Sequence, residues 1–231
     1  SSMISSTTEL ESRSYIDMTI DALGSFGVAV DEIHGEYPAF LIQGGQKFNA
    51  CDCRVEADWS QAGFYYAALG IGNDLEITGM NPFSCQGDMK IVSYYLKMKQ
   101  SGEVELDVSD CPDLGPILFA LAAMKNGAVF TGTERLKAKE SDRGMAMHEE
   151  LQKLDGSLIF GDNTITVPKQ TLQYHGTVLN GHNDHRIVMA LSVILSQIGG
   201  SIEGAEAIRK SYPGFFRDIE MLGAEVTTYG M

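Results

Sequence analysis

With 231 residues, 44% of them hydrophobic and 21% charged, the chain has enough apolar material for one large domain or two small ones. A formal net charge of −14 and a pI near 4.7 surround it with a field that repels phosphodiester backbones and anionic headgroups, so neither nucleic acid nor a membrane is expected as a partner. No apolar run approaches the roughly 20 residues of a membrane span, and no basic-then-apolar signal pattern opens the chain, which points to a cytoplasmic protein.

In chain order, SYIDMTIDALGSFGVAVDEIHGEYPAFLIQGG, starting at Ser14, reads as an amphipathic helix followed by the strands VAVDEIHG and YPAFLIQGG, joined by a turn around Gly35. No partner helix precedes it, and Ser1-Ser2 stands before Met3, so the chain is expected to start inside a larger protein. A boundary between this half-unit and the rest of the chain is expected from Asn49 to Arg54.

From Asp58 onward the chain repeats itself. DWSQAGFYYAALGIGNDLEITGM from Asp58, DLGPILFALAAMKNGAVFTGTERL from Asp113 and DHRIVMALSVILSQIGGSIEGAEAI from Asp184 each read as an aspartate N-cap, a largely buried helix, a glycine stop and a strand. A second, more amphipathic helix type alternates with them in GDMKIVSYYLKMKQSG, ESDRGMAMHEELQKLDG and PGFFRDIEMLGAEV. In the middle copy Met147, Leu151 and Leu154 share one face, opposite Glu149 and Lys153. The pairs Asp58 and Asp88, Asp113 and Asp142, and Asp184 and Asp218 recur at similar separations, so the class predicted is α/β, built from repeated helix–strand–helix–strand units. The helices opening near Asp58, Asp113 and Asp184 should then lie side by side in the interior, with their N-termini toward one face.

Cys51, Cys53, Cys85 and Cys111 are scattered in a chain large enough to do without a disulfide framework, and Cys51-Asp-Cys53 has the wrong spacing for a redox pair or a zinc knuckle. His182, Asp184 and His185 lack the HExxH, CxxC or carboxylate company of a metal site, and GIGND at 70–74 lacks the third glycine of a dinucleotide turn. The notable charge feature is a cationic cluster, Arg135, Lys137, Lys139 and Arg143, in an otherwise acidic chain. Arg143 and Arg186 follow the acidic helix openings ESDR and NDHR, where unpaired backbone N–H groups also favour anions. Taken singly, each arginine is as readily a surface charge, and Asp113 and Glu140 as readily helix-end acids. Lys137 is expected in solvent on the far face of a strand, since alternate strand residues point opposite ways.

Taken together and in order, SRSYIDMTI (12–20), VEADWSQAGFYYAA (55–68), CPD (111–113), KAKESDR (137–143), NDHRIVMAL (183–191) and KSYPGFFRD (210–218) resemble the EPSP synthase (3-phosphoshikimate 1-carboxyvinyltransferase) family over essentially the whole chain. The resemblance implies two lobes, each of three βαβαββ units with helices packed inside and sheets outside, and an active site in the cleft between them. Residues 1–54 would be the end of the N-terminal lobe, a partial unit. Residues 55–231 would be the C-terminal lobe with its three units, and most of the N-terminal lobe would be missing.

The activity implied is transfer of the enolpyruvyl group of phosphoenolpyruvate to the 5-hydroxyl of shikimate 3-phosphate, releasing phosphate, with no metal and no organic cofactor. By the same resemblance Arg143, Arg186 and Lys210 bind phosphoenolpyruvate, with His185 beside them as a donor to the departing phosphate or a bond within its own helix opening. Ser12, Tyr15, Arg135 and Lys139 lie on the shikimate 3-phosphate side. Asp113 binds the attacking hydroxyl and acts as its base, and Glu140 shuttles a proton at the methylene carbon. The partners expected are the two small substrates and the missing lobe, and the chain alone should be inactive. Two alternatives stay open: a non-catalytic anion-binding domain of the same fold, and the related UDP-N-acetylglucosamine carboxyvinyltransferases, which share the repeats but are not expected to carry KESDR, DHR and KSYP together.

Overall fold

Strand β1 (Ser2–Ser5), helix α1 (Arg13–Ser25) and strands β2 (Asp31–Ile33) and β3 (Ala39–Ile42) open the computed structural model, which describes residues 1–230. The predicted hairpin forms: β2 and β3 pair antiparallel with Ile33 opposite Ala39. β1 adds itself to the other side of β3, giving the order β1-β3-β2. All four β1 residues are exposed, so no inside–outside alternation marks it in the sequence. Arg13 fastens α1 to the hairpin, with Nε 2.7 Å from Asp17 and Nη2 2.6 Å from Glu32.

The remainder runs α2 (Trp59–Gly70), α3 (Lys90–Met98), β4 (Glu105–Asp107), α4 (Gly115–Ala123), β5 (Ala128–Thr131), α5 (Arg143–Gln152), β6 (Ile159–Gly161), β7 (Thr164–Val167), β8 (Leu179–Asn180), α6 (His185–Ile198), β9 (Ile202–Glu203) and α7 (Phe215–Met221). Helix α4, GPILFALAA, has no polar side chain, and a helix apolar all round belongs in a core. All nine of its residues are buried, and it packs between α2 and α6. Gly63 and Gly70 let α2 approach closely, because a Cβ at either position would press into Leu114 or Leu121. Edge-to-face packing of Phe119 on Phe130, with ring centroids 4.8 Å apart, ties α4 to β5. Met147, Leu151 and Leu154 are buried on one face of α5 and its exit turn, as their spacing predicts.

The middle unit is complete. Its sheet runs β4-β5-β7-β6, with β4 parallel to β5 and β7 antiparallel to both β5 and β6, which is the βαβαββ order. The third unit keeps the parallel pair β8–β9 on either side of α6. In the first unit the expected strand after α2 is absent from the described ladders. Leu75 and Ile77 are half-buried between exposed neighbours, yet no strand pairs with them. Alternation belongs to one segment, whereas a ladder requires a second.

Asp58 and Asp184 cap their helices as expected, accepting from the backbone N–H of Ser60 and Gln61 and of Arg186 respectively, and Asp142 caps α5 by accepting from that of Met145. Asp113 does not. It lies in a 3-10 turn, Pro112–Leu114, and α4 starts at Gly115 with no side-chain cap. Asp88 sits within the 3-10 turn Gly87–Met89, and Asp218 lies inside α7. Lys137 is exposed, but on the 3-10 turn Glu134–Ala138, where strand alternation does not apply. The N-terminal ends of α2, α4 and α6 do converge: Arg186, in the first turn of α6, reaches Ser60 at the start of α2 and Asp113 just before α4. Among the described residues no helix is long and apolar enough to cross a membrane.

Candidate active site

At that convergence one carboxylate collects three cations and a phenol. Asp113 Oδ1 lies 2.7 Å from Arg143 Nη1 and 3.1 Å from Lys139 Nζ, while Oδ2 lies 2.9 Å from Arg186 Nη2 and accepts from the Tyr15 hydroxyl at 3.0 Å. The Lys139 ammonium also stands 5.7 Å above the Tyr15 ring. The pair Asp113 and Tyr15 therefore joins the first 54 residues to the rest of the chain. Two further contacts do the same, since Asp110 accepts from the backbone N–H of Arg13 at 3.2 Å and its carbonyl accepts from the Ser14 hydroxyl at 3.2 Å.

Arg143 is the most deeply buried cation, with a side chain only 1% exposed. It serves three acids at once: Asp113, Glu140 at 2.7 Å and Asp184 at 2.9 Å. A guanidinium fork suits this use, since its five donors point outward in one plane. Glu140 Oε2 accepts from Arg143, and its Oε1 lies 3.9 Å from His185 Nδ1. Lys210, from the 3-10 turn Ala205–Lys210, is exposed and donates to the carbonyl oxygen of Asn183.

The electrostatics follow from this packing. Burial pushes the Asp113 carboxyl up, but Arg186, Arg143 and Lys139 together overcome it and hold it well below the usual carboxylate range. Burial likewise opposes ionisation of Asp184, and the hydrogen bond from Arg143 wins, leaving it lowered. Burial, aided by Arg186, lowers His185, so its imidazole is neutral at pH 7. Tyr15 is raised by burial and by Asp113, which keeps it a donor. Among the described residues four buried polar atoms of this region lack a hydrogen-bond partner: Ser12 Oγ, Asp88 Oδ1, His185 Nδ1 and Arg186 Nε. Ser12 itself is held in a left-handed conformation, φ 55°, at the start of α1. Unmatched buried polar atoms are costly, and sites that bind polar ligands are where they are tolerated.

The structure thus brings together Tyr15, Asp113, Lys139, Glu140, Arg143, His185 and Arg186. Arg135 is not among them. It is exposed and lines a cavity of about 380 Å³ with Ser6, Thr8, Glu9, Leu10 and Glu11. Sequence reasoning passed over Ser60, whose hydroxyl accepts from Arg186 at 3.0 Å, and saw Asp184 as little more than a cap. It also passed over Asp88, a buried carboxyl pushed up to about 7 by burial against the pull of Arg186. The signal for Asp184 was in NDHR, but its pairing with an arginine 41 residues away is tertiary.

His182 and His185 part company. His182 turns to Glu149 and Glu150, whose ligand atoms lie with its own within 4.8 Å of one another, but Lys153 donates to both oxygens of Glu150 and already supplies the positive charge there. A cavity of about 600 Å³ lies elsewhere, between α2, α6 and α7, lined by Tyr65, Ser192, Phe215, Asp74 and Glu225 among others; its charged groups are acidic, so it does not suit an anion.

An acidic protein that gathers three cations on one carboxylate matches a family of known sequence. The family model for EPSP synthase (3-phosphoshikimate 1-carboxyvinyltransferase) matches residues 2–105 and 96–219. Among curated relatives, the 3-phosphoshikimate 1-carboxyvinyltransferase of Clostridium kluyveri is 38% identical over all of this chain and 58% of its own length, and that of Clostridium acetobutylicum is 36% identical over all of this chain and 57% of its own. Among solved structures, the EPSP synthase of Acinetobacter baumannii superimposes with a TM-score of 0.70 at 24% identity, covering 89% of this chain and 54% of that one. The enolpyruvyl transferase NikO of Streptomyces tendae gives 0.63 at 15%, covering 94% and 54%. These two share the fold, and the chain spans little more than half the length of the curated relatives it matches. On sequence and fold alike, the chain belongs to the EPSP synthase family.

Proposed function

We propose that these 231 residues are the larger part of the C-terminal lobe of a cytoplasmic enzyme, together with the end of its N-terminal lobe in residues 1–54, and that the enzyme transfers the enolpyruvyl group of phosphoenolpyruvate to shikimate 3-phosphate. The observation that carries this reading is the cluster of Lys139, Arg143 and Arg186 on the single carboxylate of Asp113, at the meeting point of helix N-termini. Phosphoenolpyruvate brings a carboxylate and a phosphate, and guanidinium forks receive both. Arg143 and Arg186 are assigned to it, with Lys210 closing from the rim. Tyr15, Lys139 and Ser12, whose buried hydroxyl has no partner within the protein, are assigned to the shikimate side, and Arg135 to the outer edge of that pocket.

The reaction needs a proton taken from the 5-hydroxyl and one given to the methylene carbon. The hydroxyl oxygen then attacks the adjacent carbon to form a tetrahedral intermediate. Loss of a proton from the new methyl group and of phosphate restores the double bond. Asp113 is a weak base while three cations grip it. An anion that draws Arg143, Arg186 and Lys139 toward itself weakens that grip and raises the basicity of Asp113 as the substrate arrives. Glu140 has the exposure a proton shuttle requires, with a side chain 39% exposed. Neutral His185, beside it, offers a ring hydrogen bond to departing phosphate.

The test is turnover in the complete gene product that contains this chain. Glu140→Gln and Asp113→Asn keep size while removing proton transfer, so kcat should fall by roughly 10²–10⁴-fold with much smaller changes in substrate affinity. A near-normal rate in both variants would leave the catalytic roles assigned to Asp113 and Glu140 without support, whereas no turnover by the parent protein would favour an anion-binding protein without catalysis.

A further inference from the structure

Glu150 lies on α5, seven residues beyond Arg143, and is buried with a side chain only 1% exposed. A buried carboxylate must be matched by donors. Here Lys153 Nζ donates to Oε1 at 2.9 Å and Oε2 at 2.8 Å, the backbone N–H of Asn180 donates to Oε2 at 2.8 Å, and His182 Nε2 lies 2.8 Å from Oε1. Each oxygen thus has two partners, and two of the four contacts come from one short turn, residues 180–184.

That turn is conformationally expensive. His182 and Asn183 are consecutive non-glycine residues in the left-handed region, at φ 49° and 51°, where a Cβ crowds the backbone. Gly181 has no room for a side chain, since a Cβ would meet Val188 and the carbonyl of Gly204. The turn is closed by the Asn180 side chain accepting from the His182 N–H at 2.6 Å and by the Asp184 N–H donating to the Gly181 carbonyl at 2.9 Å. Its product is a carbonyl oxygen, that of Asn183, aimed outward to receive Lys210.

We propose that Glu150 is a positioning residue: by holding His182 and the Asn180 N–H it maintains the left-handed turn whose Asn183 carbonyl sets the place of Lys210. This rests on the reading of Lys210 as a phosphoenolpyruvate ligand. The chain of contacts is continuous, from Glu150 to His182 and Asn180, through the turn to Asn183, and on to Lys210. The same turn ends in Asp184, which caps α6 and pairs with Arg143. A glutamine at position 150 would lose the carboxylate's charge and present an amide NH2 beside two obligate donors, Lys153 and the Asn180 N–H, and could meet His182 only by a change of its tautomer, so the turn should loosen although the volume is unchanged.

The experiment compares Glu150→Gln, Lys210→Ala and the double variant in the complete gene product, with KM for phosphoenolpyruvate, kcat and amide hydrogen exchange as readouts. Glu150→Gln should raise KM by about 10-fold with a smaller change in kcat, and in the Lys210→Ala background its added effect should shrink to under about 2-fold, the non-additivity of groups acting through one another. Exchange at Asn180 and Asp184 should quicken in Glu150→Gln while the amides of α4 keep their protection. Unchanged exchange at Asn180 and Asp184 overturns the proposal, as do effects on KM that multiply in the double variant. Exchange that quickens equally in α4 overturns it too, because that is general destabilisation. If Lys210→Ala alone leaves KM unchanged, the assignment of Lys210 to phosphoenolpyruvate fails instead, and the exchange data still decide whether Glu150 holds the turn.

Discussion

A single guanidinium joins Arg186 to Asp113 twice, with Nη2 2.9 Å from Oδ2 and Nη1 3.3 Å from the carbonyl oxygen. The start of α6 is thereby locked to the entry of α4, and the cation assigned to one substrate is held by the acid assigned to the other. Any anion that takes Arg186 must compete with Asp113 for it.

The first prediction concerns acid stability. Asp113 and Asp184 both have folded pKa values below the roughly 3.9 of an unfolded aspartate. The folded state therefore binds fewer protons, so their contribution is present above that value and is lost as pH falls through the folded ones. The melting temperature should drop steeply below about pH 4. In Asp113→Asn that drop should be shallower, from a lower plateau at pH 7. Parallel melting curves for the two proteins from pH 7 to pH 3 would count against the cation cluster as described.

Asp88 has the opposite sign. Burial pushes its carboxyl up to about 7, above the unfolded value, so the folded state holds the proton between about pH 4 and 7 and stability declines as pH rises through that window. Asp88→Asn should be more stable than the parent at pH 8, by about 1–3 kcal/mol, and nearly equal to it at about pH 4. Thermal unfolding at the two pH values measures this. Equal differences at both would mean that Asp88 does not titrate there.

Arg143→Ala removes the partner of three acids, one of them, Asp184, fully buried. Breaking a buried pair from one side costs about 3–5 kcal/mol. Arg143→Lys keeps the charge but not the fork and should cost less. Urea unfolding of both variants at pH 7 gives the comparison, and a loss under about 1 kcal/mol for alanine would place Arg143 among ordinary surface ion pairs.

The 231-residue chain by itself should fold and release no phosphate from the two substrates. Phosphoenolpyruvate should bind it with a Kd on the order of millimolar or weaker, and more weakly still as salt is raised, because cations on one open face leave the ligand screened by water and ions. Calorimetry and a phosphate-release assay check both statements. Robust turnover by this chain would contradict the assignment of residues 55–231 to one lobe of two.

Much of this protein was legible from one strand of text. The absence of polar residues in GPILFALAA was enough to put α4 at the centre, and the spacing of Met147, Leu151 and Leu154 was enough to turn α5 inward. Aspartates at 58, 142 and 184 announced helix starts, because capping is settled within three residues of the cap. Asp113 carried the same local signal and did something else, since a carboxylate within reach of Arg143, Arg186 and Lys139 has stronger partners than a backbone N–H. Distance along the chain hid those partners, as it hid the pairing of Arg143 with Asp184 and the turn held by Glu150. The strand expected after α2 failed for a related reason, its alternation being written locally while its ladder depended on a neighbour. Local periodicity and capping thus determined which segments are helical and which faces are apolar. Only the tertiary structure decided which charges meet on Asp113 and Asp184, because ion pairing depends on separation in space, and those partners are tens of residues apart.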